Sequence, residues 1–225
     1  MKERVYRYRE VERRLLASRP GARVLDLGCG SGENLARLVR YGGRAFGVEP
    51  GRERARRAAA GAPAAVARGE ALPWRDASFD LVYVSHVLHH AEDLGAVLGE
   101  VDRVLVPGGV LFAIETVEDS PLLRLARWLR PSWEGDPVRS RFTSRGLAQA
   151  VAGRGFELRG GSCFNWIFFA WELLPRALRP LEGLTPLFVA LERLGQPLFG
   201  RFGAHCWLVA RKPGPPLWPL LQESL

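Results

Sequence analysis

The segment Val24-Leu25-Asp26-Leu27-Gly28-Cys29-Gly30-Ser31-Gly32 sets glycines at alternate positions directly after a short apolar run. Glycine tolerates positive φ, so such a loop turns sharply and lets a ligand approach bare backbone at the start of the next helix. This arrangement suits the binding of a nucleoside cofactor. Twenty-one residues beyond Gly28, Glu49 ends a second apolar run, where a carboxylate can accept both ribose hydroxyl protons. A dinucleotide fingerprint has its third glycine three residues after its second, and here that position is Glu33, which faces a pyrophosphate badly. An ammonium group tolerates an acid there, so Gly32 and Glu33 together favour S-adenosylmethionine over NAD or NADP.

A second group with chemical capacity is His86, His89 and His90, whose spacings of three and four predict one helical face. Metal ligation, a general base, or polar residues satisfied by backbone are the available roles. No carboxylate cluster accompanies them in the sequence, so no metal is expected and one of the three is the candidate base. Cys29, Cys163 and Cys206 are far apart and free of metal-ligand spacing, which argues against a disulfide framework or a zinc site.

The elements that must position these residues alternate. Arg23–Leu27, Ala45–Glu49, Ala64–Ala67, Phe79–Ser85 and Val110–Ile114 read as strands; Asn34–Val39, Arg52–Ala60 and Leu94–Leu105 read as the helices between them. Strands separated by helices imply a parallel sheet covered on both faces, an α/β fold. Residues 3–18 predict an amphipathic N-terminal helix. Ser120–Arg130 and Thr143–Gly153 predict two more helices, the latter capped by Thr143 or Ser144, with a polar loop between them. Phe156–Leu158 and His205–Ala210 read as closing strands. The apolar stretch 164–202, interrupted by Pro175, Pro180, Pro186 and Pro197, predicts short broken helices, and residues 213–225 a Pro-rich tail. One domain over 1–212 is expected, with 1–19 as its N-terminal helix.

Composition excludes several classes. At 225 residues, 47% hydrophobic and 25% charged, the chain can bury a core without cross-links. Its first sixteen residues lack the apolar stretch of a secretory signal and no run spans a membrane, so a cytoplasmic location is expected. The net charge of 32 − 24 = +8 permits an anionic partner without requiring one.

The blocks VLDLGCGSG (24–32), VEP (48–50), ALPWRDASFD (71–80), VLHH (87–90) and VLVPGG (104–109) resemble the class I S-adenosylmethionine-dependent methyltransferases, in their small-molecule, type 11-like branch. The resemblance implies a Rossmann-like, seven-stranded, mostly parallel sheet whose last strand is antiparallel and preceded by a helical insert. It also implies a cofactor lying across the carboxyl ends of the strands. Asp26 and the backbone of Gly28, Cys29, Gly30 and Gly32 would hold the methionine part. Glu49, with Pro50 beside it, would take the ribose, and Gly69 and Glu70 would border the adenine. Ser85 and His86 would lie near the methyl end. Arg68 departs from the aspartate of many relatives, which leaves the adenine amine without its usual acceptor.

The product would be S-adenosylhomocysteine and the acceptor a small, hydrophobic molecule, with oxygen the first acceptor atom considered. The residues after Asp80 lack the signature of amino-directed DNA methylation and no RNA-binding module is attached, so neither nucleic acid is an expected partner. A non-catalytic nucleoside-binding protein of the same fold and an RNA methyltransferase are the alternatives left open. The insert reads either as helical core or a dimer face, or as a lid over the methyl end. Arginines 176, 179, 193 and 201 could hold that lid at an anionic membrane surface. A monomer and a homodimer are equally compatible with the sequence.

Overall fold

The apolar runs pair as neighbours wherever burial on both faces removes the need for a polar side. In the computed structural model, which describes residues 7–129, 139–166 and 185–222, β1 (Arg23–Leu27), β2 (Arg44–Val48), β3 (Ala64–Ala65), β4 (Phe79–Ser85) and β5 (Leu105–Thr116) are parallel. β6 (Glu157–Phe164) and β7 (His205–Arg211) complete a seven-stranded sheet in the order β3-β2-β1-β4-β5-β7-β6. β7 runs antiparallel to both neighbours, with His205 opposite Thr116 on one side and Phe164 on the other. The Rossmann-like α/β expectation is met.

The helices are α1 (Arg7–Ala17), α2 (Glu33–Arg40), α3 (Arg52–Ala58), α4 (Leu94–Val104), α5 (Pro121–Leu129), α6 (Ser144–Ala152) and α7 (Thr185–Phe199). One face of the sheet packs Val24, Tyr83, Phe112 and Trp207 against Leu15 and Leu16 of α1 and Leu35 and Leu38 of α2. The other packs Leu25, Val82, Val84 and Leu111 against Val97 and Val101 of α4 and Leu147 and Val151 of α6. Caps agree with local chemistry: Asp93 Oδ1 accepts from the Ala96 N–H and Thr143 Oγ1 from the Gly146 N–H, both at 3.0 Å.

Three boundaries differ from the sequence reading. β5 begins at Leu105, so Pro107-Gly108-Gly109 lies within the strand rather than after a helix. β6 continues to Phe164 because its last residues pair with β7, which moves the start of the insert beyond 164. Residues 185–199 form one continuous helix and not short broken pieces: Pro186 falls in the first turn, where no donor is lost, and Pro197 is accommodated near the end. The remainder of the insert, 167–184 with Arg176 and Arg179, lies outside the described residues, as do 1–6 of the N-terminal helix, 130–138 of the polar loop and 223–225 of the tail.

Candidate active site

β1 delivers Asp26 to the sheet interior beside its carboxyl end. The side chain is fully buried, and neither carboxylate oxygen makes a well-formed hydrogen bond; the Asn34 side chain beside it pulls only weakly toward the ionised form. Burial pushes its pKa up to about 8. A buried carboxylate so poorly partnered is costly, and one placed beside a glycine loop is a ready seat for a cation.

The loop that follows has left-handed backbone at Gly28, Gly30 and Gly32, with φ of 72°, 55° and 95°. A Cβ at Gly28 would come within 2.3 Å of Val87 Cγ2, whereas the space over Gly30 is open. Cys29 turns its side chain into the core against Gly47, where burial pushes the thiol up to about 12, so only its backbone faces the crevice. Glu49 stands across the loop: Oε2 accepts from the Gly30 N–H at 3.2 Å, while Oε1 accepts from the Gly51 N–H at 3.1 Å and pairs with Arg54 at 3.0 Å. The acid therefore fixes the loop it was expected to serve.

A cavity of about 110 Å³ opens beside this loop, lined by Gly28, Pro50, Gly69, Glu70, Val87 and His90, among others. Its size and its apolar walls, Val48, Ala91 and Val97, suit a flat heterocycle. Arg68 turns to the rim, pairing with Glu92 at 2.8 Å and Glu70 at 3.6 Å.

The histidines do not share a helical face. His86 follows Ser85 at the end of β4 with φ of 57°, and only Leu88–His90 forms a single 3-10 turn. His90 belongs to the heterocycle cavity, its ring 3.9 Å from that of His89. His89 Nδ1 lies 2.6 Å from Glu115 Oε2, and Glu115 Oε1 accepts from the backbone N–H groups of Val87 and Leu88 at 2.9 and 2.7 Å. Glu115 is fully buried and sets a single carboxylate against the histidines, a partner that the sequence reading did not name. With Nδ1 held by Glu115, Nε2 is the ring nitrogen of His89 left for another group.

His205, the fourth histidine of the chain, completes the group from the start of β7. Its ring stands edge-on to His86 at 5.0 Å, and its Nδ1 is buried without a partner. Burial holds the imidazoles of both below the usual histidine range, His205 further than His86. His86 Nδ1 is 3.3 Å from Thr116 Oγ1. The ring of Phe164 lies 5.5 Å from His205 and 5.0 Å from Tyr8, and both Phe164 and Tyr8 wall a cavity of about 740 Å³ together with Trp207, Gln196 and Pro197.

Glu115 and His205 escaped the sequence reading. An acid closing the fully apolar run Val110–Ile114 was the available signal for the first, since a buried charge requires partners. Nothing local marks the second. Among the described residues no group of three or more histidine, cysteine or acidic side chains is arranged to hold a metal ion.

The family described as a methyltransferase domain matches residues 25–113. The match is to the methyltransferase-domain family and takes in fewer than half of the 225 residues. A 2-phytyl-1,4-naphtoquinone methyltransferase of Synechococcus elongatus is 35% identical over 135 residues, covering 52% of this chain and 58% of its own. The 24-methylenesterol C-methyltransferase 2 of rice, Oryza sativa, is 35% identical over 116 residues, covering 47% and 32%. The chain spans about half the length of the curated relatives it matches. The solved S-adenosylmethionine-dependent methyltransferase of Mesorhizobium loti superposes with a TM-score of 0.63 at 22% identity, over 90% of this chain and 96% of that one. At that identity the likeness shows the fold alone.

Proposed function

We propose that the chain transfers a methyl group from S-adenosylmethionine to a small, lipophilic acceptor. The observation that carries this reading is Asp26, a fully buried carboxyl beneath the glycine loop with no well-formed hydrogen bond to either oxygen, which fits the ammonium of the cofactor. Glu49 retains acceptor capacity for the ribose, the cavity beside Gly69 takes the adenine, and Glu70 at its edge offers the amine the acceptor that Arg68 cannot. When bound, S-adenosylmethionine supplies an electrophilic methyl on sulfur, and in-line alignment of the acceptor supplies much of the rate. His89, oriented by Glu115, takes the proton of an acceptor that must lose one. The cavity of about 740 Å³ walled by Tyr8, Phe164 and Trp207 takes the acceptor's apolar body, with Phe164 linking it to the His205 ring. Oxygen is the first acceptor atom assigned. Carbon is the second, because the rice relative is by name a C-methyltransferase.

Thermal unfolding tests the cofactor. S-adenosylmethionine and S-adenosylhomocysteine, each at about a hundred times its dissociation constant, should stabilise the fold by roughly 2.7 kcal/mol, and NAD and NADP should not. Stabilisation by the nucleotides alone, or by none of the four, overturns the reading. Labelled methyl transfer to lipophilic phenols and quinols then tests catalysis. His89→Asn should lower turnover about 100-fold or more while S-adenosylhomocysteine binds unchanged.

A further inference from the structure

Large apolar side chains left exposed on the described residues concentrate at one end of the molecule. Nine of the twelve belong to α5, α7 or the 3-10 turn Gly200–Phe202. On α7 they are Phe199, whose ring lies 4.9 Å from that of Trp166, and Leu187, Leu191, Leu194 and Leu198, the leucines spaced four, three and four apart, which is a single helical face. Leu194 and Leu198 are 78% and 71% exposed. The opposite face of α7 is anchored: the Glu192 carboxylate accepts from the Trp166 N–H at 3.0 Å, Trp166 Nε1 donates back to the Glu192 carbonyl at 3.1 Å, and the Trp166 indole covers Gly195. The leucine face is thus held outward by a helix that cannot roll it in. On α5 the equivalents are Leu122, Leu125 and Trp128, the last 77% exposed.

Both helices adjoin the carboxyl end of the parallel strands. α5 leaves the end of β5, and α7 leads through the 3-10 turn into His205, which pairs with Thr116 at that same end. Charge on these elements has one sign. Their single acid, Glu192, is buried, whereas Arg124, Arg193 and Arg201 are exposed. Exposed leucines with a tryptophan, on elements whose exposed charges are all arginines, complement a bilayer interface carrying anionic headgroups.

The geometry points to the leucine face of α7 as a docking surface for an anionic lipid bilayer. Docked this way, the protein turns the histidine end of its sheet toward the membrane. The surface is independent of the methyl-transfer reading, because attachment needs no cofactor and no turnover.

Co-sedimentation of the full chain with phosphatidylcholine vesicles, with and without phosphatidylserine, tests it. Binding to the anionic vesicles should be at least about tenfold tighter than to the neutral ones and should weaken with salt. Leu194→Asp combined with Leu198→Asp should remove it, with the circular dichroism and unfolding temperature of the parent retained because both positions are exposed. No sedimentation with either vesicle overturns the proposal. So does sedimentation that the double variant retains. A homodimer that the double variant converts to monomer, without vesicle binding by the parent, overturns it in favour of a second copy on this face.

Discussion

Asp26 is the residue whose cost to the protein without ligand is most informative. Its carboxyl titrates near ~4 in an unfolded chain and near about 8 when folded. Between those values the folded chain keeps a proton that the unfolded chain has lost. Stability without cofactor therefore falls as the pH rises through this window. An ammonium placed against the carboxylate reverses the preference, so cofactor affinity should rise with pH over the same range. Asp26→Asn keeps the shape and removes the titration. Relative to the variant, the wild-type unfolding temperature should decline from about pH 5 to about pH 8, and S-adenosylmethionine should stabilise the variant much less at every pH. Thermal melts across a buffer series check both. A wild-type curve that climbs relative to the variant would show that the carboxyl is ionised in the free protein.

Among the elements, α1 is tied to the site from behind. Glu12, 2% exposed, receives Arg37 Nε of α2 at 2.8 Å and Arg9 Nη1 at 3.3 Å, and Arg37 Nη2 donates to the Tyr83 hydroxyl on β4 at 3.0 Å. Arg37 also faces Asp26 electrostatically, so this chain of contacts couples the N-terminal helix to the cofactor seat. Removing one partner of a buried pair leaves the other charge uncompensated, and Arg37→Met should cost about 3 kcal/mol, the lower part of the usual range because Arg9 remains beside Glu12. Adding Glu12→Gln should recover part of that loss. Denaturant unfolding of the two variants gives the comparison, and additive losses would show that the pair is not energetically coupled.

The same scale explains what was legible. β1 and β4 are buried on both faces, so they read as continuous apolar runs and were found to the residue, whereas of β5 only the apolar centre Val110–Ile114 was legible and its start at Leu105 was not. β6 was cut short because it is an edge strand whose segment Glu157-Leu158-Arg159-Gly160-Gly161-Ser162 is mostly exposed and carries neither alternation nor an apolar run. The loop glycines, Asp26 and Glu49 stand within twenty-four residues and were legible together. His205 lies 119 positions beyond His86 and meets it only because β7 inserts between β5 and β6, a pairing that no local pattern encodes.

Across the whole molecule, the C-terminal segment shows how distant parts explain one another. Pro107-Gly108-Gly109 reads locally as a turn signal, yet its glycine is required by chain that arrives a hundred residues later. Gly108 has φ of 77°, and a Cβ there would meet the Pro215 carbonyl oxygen at 1.9 Å. Lys212 ties the same crossing, its N–H donating to the Gly109 carbonyl at 2.8 Å and its Nζ to the Asp102 carbonyl at 2.6 Å. From there the chain carries Trp218 and Leu221, 1% and 2% exposed, into the core on the α1 side of the sheet, with the Arg19 guanidinium 5.9 Å from the indole. The tail is therefore part of the fold. Trp218→Ala should destabilise it by about 3–5 kcal/mol, the range for emptying a buried aromatic site, which for a domain of this size is a drop of roughly 10 °C in unfolding temperature. Trp218→Phe should lose less, because the indole N–H has no partner to forfeit. Equal losses for the two variants would mean that the nitrogen, and not the ring's apolar bulk, holds the tail in place.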